Sequence, residues 1–347
     1  MTARASAGGG GRPSDELRRV GGAGAAYFGS RILRHVAADM EALAARGFTG
    51  VLHTFTENDL AYYREAMARI VGVSHDCGLD VQIAPWGVCQ MFGGEAESRF
   101  TSHRRDVGQV LDDGTSTPSG CPNDPRVREF VHSWIDAAVD TGADRIFCDE
   151  PHWVHPEHFG LSTQRWGCRC GFCAERFGGE LPSELTPEVL AFRESCMVEF
   201  IGDFVGHVAA QGAQPAVCLL PLTGGIHGIA DWSRVAGLPG LHTFGTDPYW
   251  KAFGEDAAQM VGEYARRVVS LSREHDVQPQ LWIQGFRLEP SDADDIRTAV
   301  RVARDEGIED LWTWAFDACG HMSALAGSDP ALVWDVICDA MLPGVRV

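Results

Sequence analysis

Three cysteines fall within six residues in the segment WGCRCGFCAERFG: Cys168, Cys170 and Cys173. A C-x-C-x2-C run supplies three thiolates of a tetrahedral zinc site, and a closed site needs one more Cys or His. Cys121, in SGCPNDPRVREF just ahead of a helical pattern, is the natural fourth. Four thiolates saturate the metal, so the zinc expected here is structural and staples the loop after strand 3 to the loop after strand 4. The plainer alternative, loose reduced thiols in a surface loop, leaves reactive cysteines exposed for no gain.

The second chemistry is carboxylic. Asp149 and Glu150 are adjacent at the end of the apolar run RIFCDE, and Asp247 lies in TDPYW at the matching end of another. Hydrolysis of a glycosidic bond needs two carboxyl groups flanking it. Glu150, next to the apolar Phe147 and Trp153, is expected to have its pKa raised by desolvation and to act as general acid. Asp247 or Asp149 is then its partner carboxylate. Ordinary turn chemistry, an Asp-Pro starter or an Asp-Glu-Pro cap, is the competing explanation for both sites.

Further polar and aromatic residues collect at the ends of apolar runs: His53, Glu57, Trp86, His152, His227, Tyr249, Trp250, Gln284, Trp314 and Asp317. Aromatic faces stack on the C–H surfaces of a pyranose while carboxylates, amides and imidazoles take its hydroxyls, so this mixture suits a small carbohydrate. His53, Gln284 and Trp314 are expected to orient it. The tryptophans at 86, 250 and 314 also fit a simple core role.

These residues must be positioned by the elements that end beside them. Eight near-continuous apolar runs read as buried parallel strands: 25–29, 50–55, 81–86, 145–150, 216–221, 242–247, 280–286 and 311–316. Amphipathic patterns lie between them, as in Ile32, Val36, Met40 and Leu43, or Val261, Tyr264, Val268 and Leu271. Gly47, Gly78, Gly142 and Gly307 end helices just before a strand. Strand, helix, glycine, strand, repeated about eight times, predicts a closed (β/α)8 TIM barrel with its active site at the C-terminal ends of the strands. Neither a GxGxxG after the first strand nor a GxxxxGK[ST] is present, so nucleotide-binding α/β folds lack support.

The 347 residues, 45% hydrophobic and 22% charged, suit one barrel domain over 21–347, with a cysteine-rich insertion at 151–187. Residues 1–20 contain a four-glycine run and no apolar core of a secretory signal, and read as a flexible tail. A net charge of −19 repels a phosphate backbone or an anionic membrane, and no run is long enough to span a bilayer, so neither nucleic acid nor membrane is an expected partner. Eleven cysteines, an odd number mostly in apolar contexts, point to reduced thiols and a cytoplasmic location. Barrels of this kind often associate through their outer helices, so a homo-oligomer is an open expectation.

Three stretches, CPNDPRVREFV at 121–131, RIFCDEP at 145–151 and CRCGFCAERFG at 168–178, resemble the glycoside hydrolase family 42 β-galactosidases in order and spacing. These belong to a clan of barrel glycosidases with an acid/base at the end of strand 4 and a nucleophile at the end of strand 7. The resemblance implies that Cys121, Cys168, Cys170 and Cys173 hold a structural zinc and that Glu150 is the acid/base. Two positions depart from it. Asp149 replaces the usual Asn, and Gln284 in WIQGF lies where a catalytic Glu is expected.

An amide cannot form a glycosyl ester, so either the nucleophile has moved, or water attacks with a base on another strand, or the barrel binds sugar without cleaving it. The eighth helix ends close to residue 347, so a distant, barrel-only relative is expected. Two rivals to the hydrolase follow: a catalytically silent sugar-binding barrel, and a divalent-metal sugar isomerase or epimerase using Glu150, Asp247 and a histidine as ligands.

Overall fold

The computed structural model describes residues 22–342 apart from 95, 156–159, 161, 163, 164 and 223–227, so the expected tail over 1–20 and His227 lie outside the described residues. The apolar runs form β1 (Ala23–Tyr27), β2 (Gly50–Thr54), β3 (Asp80–Ala84), β4 (Arg145–Asp149), β5 (Gln214–Leu219), β6 (Thr243–Thr246), β7 (Gln278–Gln284) and β8 (Asp310–Trp314). Each pairs in parallel with its neighbours in sequence, and β1 pairs with β8, placing Ala23 opposite Leu311, so the sheet closes into the expected (β/α)8 barrel. Every strand stops one or two residues short of its apolar run. Those last residues have already left the ladder and turn over the mouth.

The helices are α1 (Leu33–Arg46), α2 (Arg64–Asp76), α3 (Pro125–Val139), α4 (Pro187–Ala210), α5 (Ser233–Ala236), α6 (Ala257–His275), α7 (Ala293–Asp305) and α8 (Pro330–Met341). Asp124, Thr186 and Asp329 cap α3, α4 and α8 with their side chains, each followed by a proline at the first helical position. Gly47, Gly78, Gly142 and Gly307 all hold positive φ, the left-handed conformation that lets the chain leave a helix and enter a strand. On α1, Val36, Met40 and Leu43 face the barrel, whereas Ile32 lies before the helix and is exposed.

Alternation decides which residues look inward. Leu52, Ala84, Phe147, Ala216, Cys218, Trp282 and Trp312 fill the barrel interior. Val51, Ile83, Ile146, Val217, Leu281 and Ile283 fill the layer between barrel and helices. Trp312 fits because two strand glycines leave it room: a Cβ on Gly24 or Gly50 would come within 2.2 or 2.8 Å of its indole.

Two connections depart from the bare repeat. Between β3 and α3 lies an antiparallel hairpin, Gly108–Val110 with Ser116–Gly120, and the loop after β4 carries a short helix, Gly171–Phe177. The second falls within 151–187; the hairpin strands are short and polar, and no apolar run marks them. Among the described residues no helix is long and apolar enough to cross a membrane.

Candidate active site

Asp149 ends β4, and Glu150 follows with φ 42°, its N–H bonding the Cys218 carbonyl on β5 at 3.0 Å. That left-handed backbone is uncommon for a residue with a side chain. Both carboxylates converge over Gly93: a Cβ there would lie 2.7 Å from Glu150 Oε2 and 3.0 Å from Asp149 Oδ2. Gly93 is held in place by its N–H to the Asp149 carbonyl at 3.0 Å, while its own carbonyl accepts from the Gly87 N–H at 2.9 Å.

Behind this pair lies Asp247, just past β6 and 3% exposed. Burial pushes its carboxyl well above the ordinary carboxylate range; the charge of Glu150, a hydrogen bond with Glu150 and the charge of Asp149 add to the shift. These surroundings favour the protonated form of Asp247. The apolar residues near Glu150 in sequence pack elsewhere, Phe147 on Trp282 inside the barrel and Trp153 on Arg193. The same burial, with the same three acids nearby, raises the Cys218 thiol and the Tyr249 phenol.

An aromatic wall stands beside the acids. Trp314 stacks on Phe28 with centroids 5.2 Å apart and lies 5.2 Å from Trp86, while Phe28 meets Trp86 edge-on at 4.6 Å. Tyr249 meets Phe286 edge-on at 5.1 Å. The structure thus brings Asp149, Glu150, Asp247, Trp86, Tyr249 and Trp314 to the barrel mouth. His152 joins them as a loop anchor: its Nδ1 is 2.6 Å from the Glu150 carbonyl and its N–H bonds the Met91 carbonyl at 2.9 Å.

Other expected residues go elsewhere. His53 is buried on the outer face of β2, with Nε2 2.9 Å from Ser74 Oγ on α2, and burial lowers its pKa to about 3. It is a neutral core histidine because Leu52, its neighbour, takes the inward position. Trp250 packs in the layer between barrel and helices. Glu57 is a loop organiser, accepting from the Cys89 and Phe100 N–H groups and the Ser98 hydroxyl. Asp317 is exposed, and its electrostatic neighbours are His321 and Asp39 rather than the three acids.

Gln284 is buried at the end of β7 with its amide occupied by backbone. Its Oε1 accepts from the Lys251 and Ala252 N–H groups at 3.1 and 3.3 Å, and its Nε2 donates to the Phe286 carbonyl at 2.9 Å. Gly93, Phe28, Phe286 and Cys218 were not among the expected site residues. A Gly-Gly pair at 93–94, soon after an apolar run, is the signal that could have marked the first.

Cys121, Cys168, Cys170 and Cys173 form a group that can hold a metal ion, with all four sulfurs within 4.8 Å of one another. Cys121 Sγ lies 3.5 Å from both Cys170 Sγ and Cys173 Sγ, close to the spacing of about 3.8 Å that tetrahedral coordination at about 2.3 Å requires. Donors suited to thiolates surround them: the Val110 and Cys170 N–H groups point at Cys168 Sγ at 3.4 Å, and Asn123 Nδ2 at Cys173 Sγ at 3.3 Å. Among the described residues no other group of three or more such side chains gathers in this way.

The fold and its mouth define a TIM barrel with acids and aromatics at the C-terminal ends of the strands. No family model and no curated protein matches the chain. Among solved structures, the catalytic domain of β-amylase from Paenibacillus polymyxa is similar with TM-score 0.65 at 10% identity, covering 93% of this chain and 99% of that one. The endo-1,4-β-mannanase from Rhizomucor miehei gives TM-score 0.60 at 11% identity over 94% and 96%. D-allulose 3-epimerase from a Methylomonas species gives 0.50 at 10% over 93% and 95%. At such identities the likeness is one of fold.

Proposed function

We propose that the chain is a carbohydrate-active hydrolase that cleaves a glycosidic bond at the barrel mouth. One observation carries this reading: two half-buried carboxylates, Asp149 and Glu150, converge over Gly93, with a third acid, Asp247, buried behind them and raised by burial and by their charges. The proton for the leaving oxygen passes from Asp247 through Glu150, which leaves Asp247 as the carboxylate until a proton returns from water. Asp149 acts at the anomeric carbon, on water or directly. Trp314, Phe28 and Trp86 form the wall on which an apolar sugar face packs.

The amide of Gln284 is occupied by the backbone of the neighbouring loop, so strand β7 supplies no nucleophile and both reacting carboxylates lie at the end of β4, with Asp247 of β6 behind them. The cysteine pattern and the β4 acid support distant kinship with the family 42 β-galactosidases. The four cysteines, on this reading, hold a structural zinc, whose contribution is to fix the hairpin before α3 to the loop after β4. A cytoplasmic setting agrees with eleven cysteines of which none forms a disulfide.

Proton NMR over a panel of aryl α- and β-glycosides, comparing the native chain with Glu150→Gln, tests the proposal. Turnover lost in the variant supports it, and the first anomer released shows whether Asp149 acts on water or on the sugar. Sugar affinity without turnover on any glycoside would instead favour the silent sugar-binding barrel, the reading that Gln284 supports. A requirement for an added divalent cation would favour the isomerase.

A further inference from the structure

The four clustered cysteines are not equally enclosed. Cys121, Cys168 and Cys173 are at most 1% exposed, whereas Cys170 is half-buried. Cys170 also lines a cavity of about 360 Å³, whose walls include Asp106, Val107, Asp124, Phe172 and Glu175. Asp106 and Glu175 are themselves exposed, so the cavity reaches solvent. On the other side, Cys170 Sγ lies 3.5 Å from Cys121 Sγ. Cys170 therefore stands between an approach from water and a second sulfur that a small movement brings to bonding distance, about 2.05 Å.

A cysteine that a metal holds as thiolate, and that small molecules can reach, is oxidised ahead of enclosed neighbours, above all beside a resolving thiol. We propose that Cys170 is an oxidative modification site for small neutral hydroperoxides, and that its disulfide with Cys121 releases the metal. The Cys170 thiolate attacks a peroxide oxygen, breaking the O–O bond, forming an S–OH bond and expelling hydroxide or alkoxide. The Cys121 thiolate then attacks the Cys170 sulfur, forming the S–S bond and expelling hydroxide. Each sulfur loses one electron, each peroxide oxygen gains one, and the expelled anions take protons from water. Cys168 and Cys173 are left as an incomplete ligand set. The acids lining the cavity, two of them paired with Arg126, favour a neutral oxidant over an anionic one. The assignment rests on the zinc reading of the four cysteines and is independent of whether the mouth hydrolyses a glycoside.

The test uses the full chain loaded with zinc and begins with its metal content; a chain that holds none overturns the zinc reading and this assignment with it. Hydrogen peroxide is then added, zinc release is followed with a chromogenic chelator, and disulfides are located by peptide mass spectrometry. Zinc is expected to leave in step with a Cys121–Cys170 disulfide. Retained zinc, or release with any other pairing, overturns the assignment. Gly171 lines the cavity, and a Cβ there meets nothing within 4 Å. Gly171→Leu keeps all four ligands and crowds the approach to Cys170, so release should slow roughly 10-fold; an unchanged rate overturns the cavity as the route. Should Gly171→Leu not fold, iodoacetamide on the native chain decides. Cys170 is expected to be the first of the four alkylated, and first labelling at Cys121, Cys168 or Cys173 overturns the assignment.

Discussion

Asp247 lies behind Glu150 in a position closed to water: it is 3% exposed, and after burial itself the charge of Glu150 does most to raise its carboxyl. Burial and the neighbouring acids both favour the protonated form of Asp247.

This arrangement fixes the sign of a stability effect. A carboxyl raised on folding contributes stability that is whole below its unfolded value of about 3.9 and is lost as pH rises through the folded value. Asp247→Asn cannot ionise and keeps a donor toward Glu150. It is expected to match the native chain at about pH 4 and to melt roughly 2–4 °C higher at pH 7. Hydrolysis should fall at least about 10²-fold, because the proton reserve is gone. Thermal melts at the two pH values check the first statement; a lower melting temperature at pH 7 would show that the buried acid is not a cost.

Glu150 separates chemistry from backbone strain. Glu150→Gln keeps the shape and removes the proton, so turnover should drop about 10²–10⁴-fold with the fold intact. Glu150→Gly loses the same chemistry but relaxes a φ of 42°, so it should be more stable than Glu150→Gln by about 1 kcal/mol. Denaturant titration of the two variants measures the difference, and equal stabilities would show that the loop adapts to a side chain at no cost.

Gly93 is the residue that lets the two carboxylates meet. In Gly93→Ala the added methyl carbon would stand 2.7 Å from Glu150 Oε2 and 3.0 Å from Asp149 Oδ2, closer than side-chain carbons approach. The carboxylates must part. Turnover should fall about 10²-fold, the scale of a displacement of order 1 Å, while the melting temperature changes little. Gly94→Ala meets the Trp86 indole at 2.3 Å and has φ 109°, so there the fold itself should suffer, by about 1–3 kcal/mol.

The barrel was legible because buried parallel strands are apolar on both faces and stand out as runs; the same property hid the direction of each side chain. In GVLHT nothing in the pattern says whether Leu52 or His53 looks inward, and the residue that fits the interior is leucine. The four cysteines were legible because metal coordination fixes their number and local spacing. Asp149, Glu150 and Asp247 were legible because acids at the ends of apolar strands are conspicuous. Their division of labour was not, since it depends on which carboxyl is deepest once β4 and β6 lie side by side with β5. Gly93 acts through close approach across the fold, which leaves only a faint mark in the local sequence.

Gln284 decides how far the proposed kinship with family 42 can reach. Its Oε1 takes two backbone N–H groups and its Nε2 serves the Phe286 carbonyl, so the amide is complementary to this loop in a way a carboxylate is not. Gln284→Glu keeps the acceptor but sets an oxygen against the Phe286 carbonyl and adds a charge to a mouth that already has three acids. We expect a loss of about 1–3 kcal/mol, the cost of an unmade buried hydrogen bond, and no gain in turnover. Melting temperature and glycoside hydrolysis of the variant provide the check. Should the variant hydrolyse a glycoside that the native chain leaves intact, the attack belongs to β7, and the native protein is a sugar-binding barrel whose nucleophile has been replaced by an amide that braces a loop.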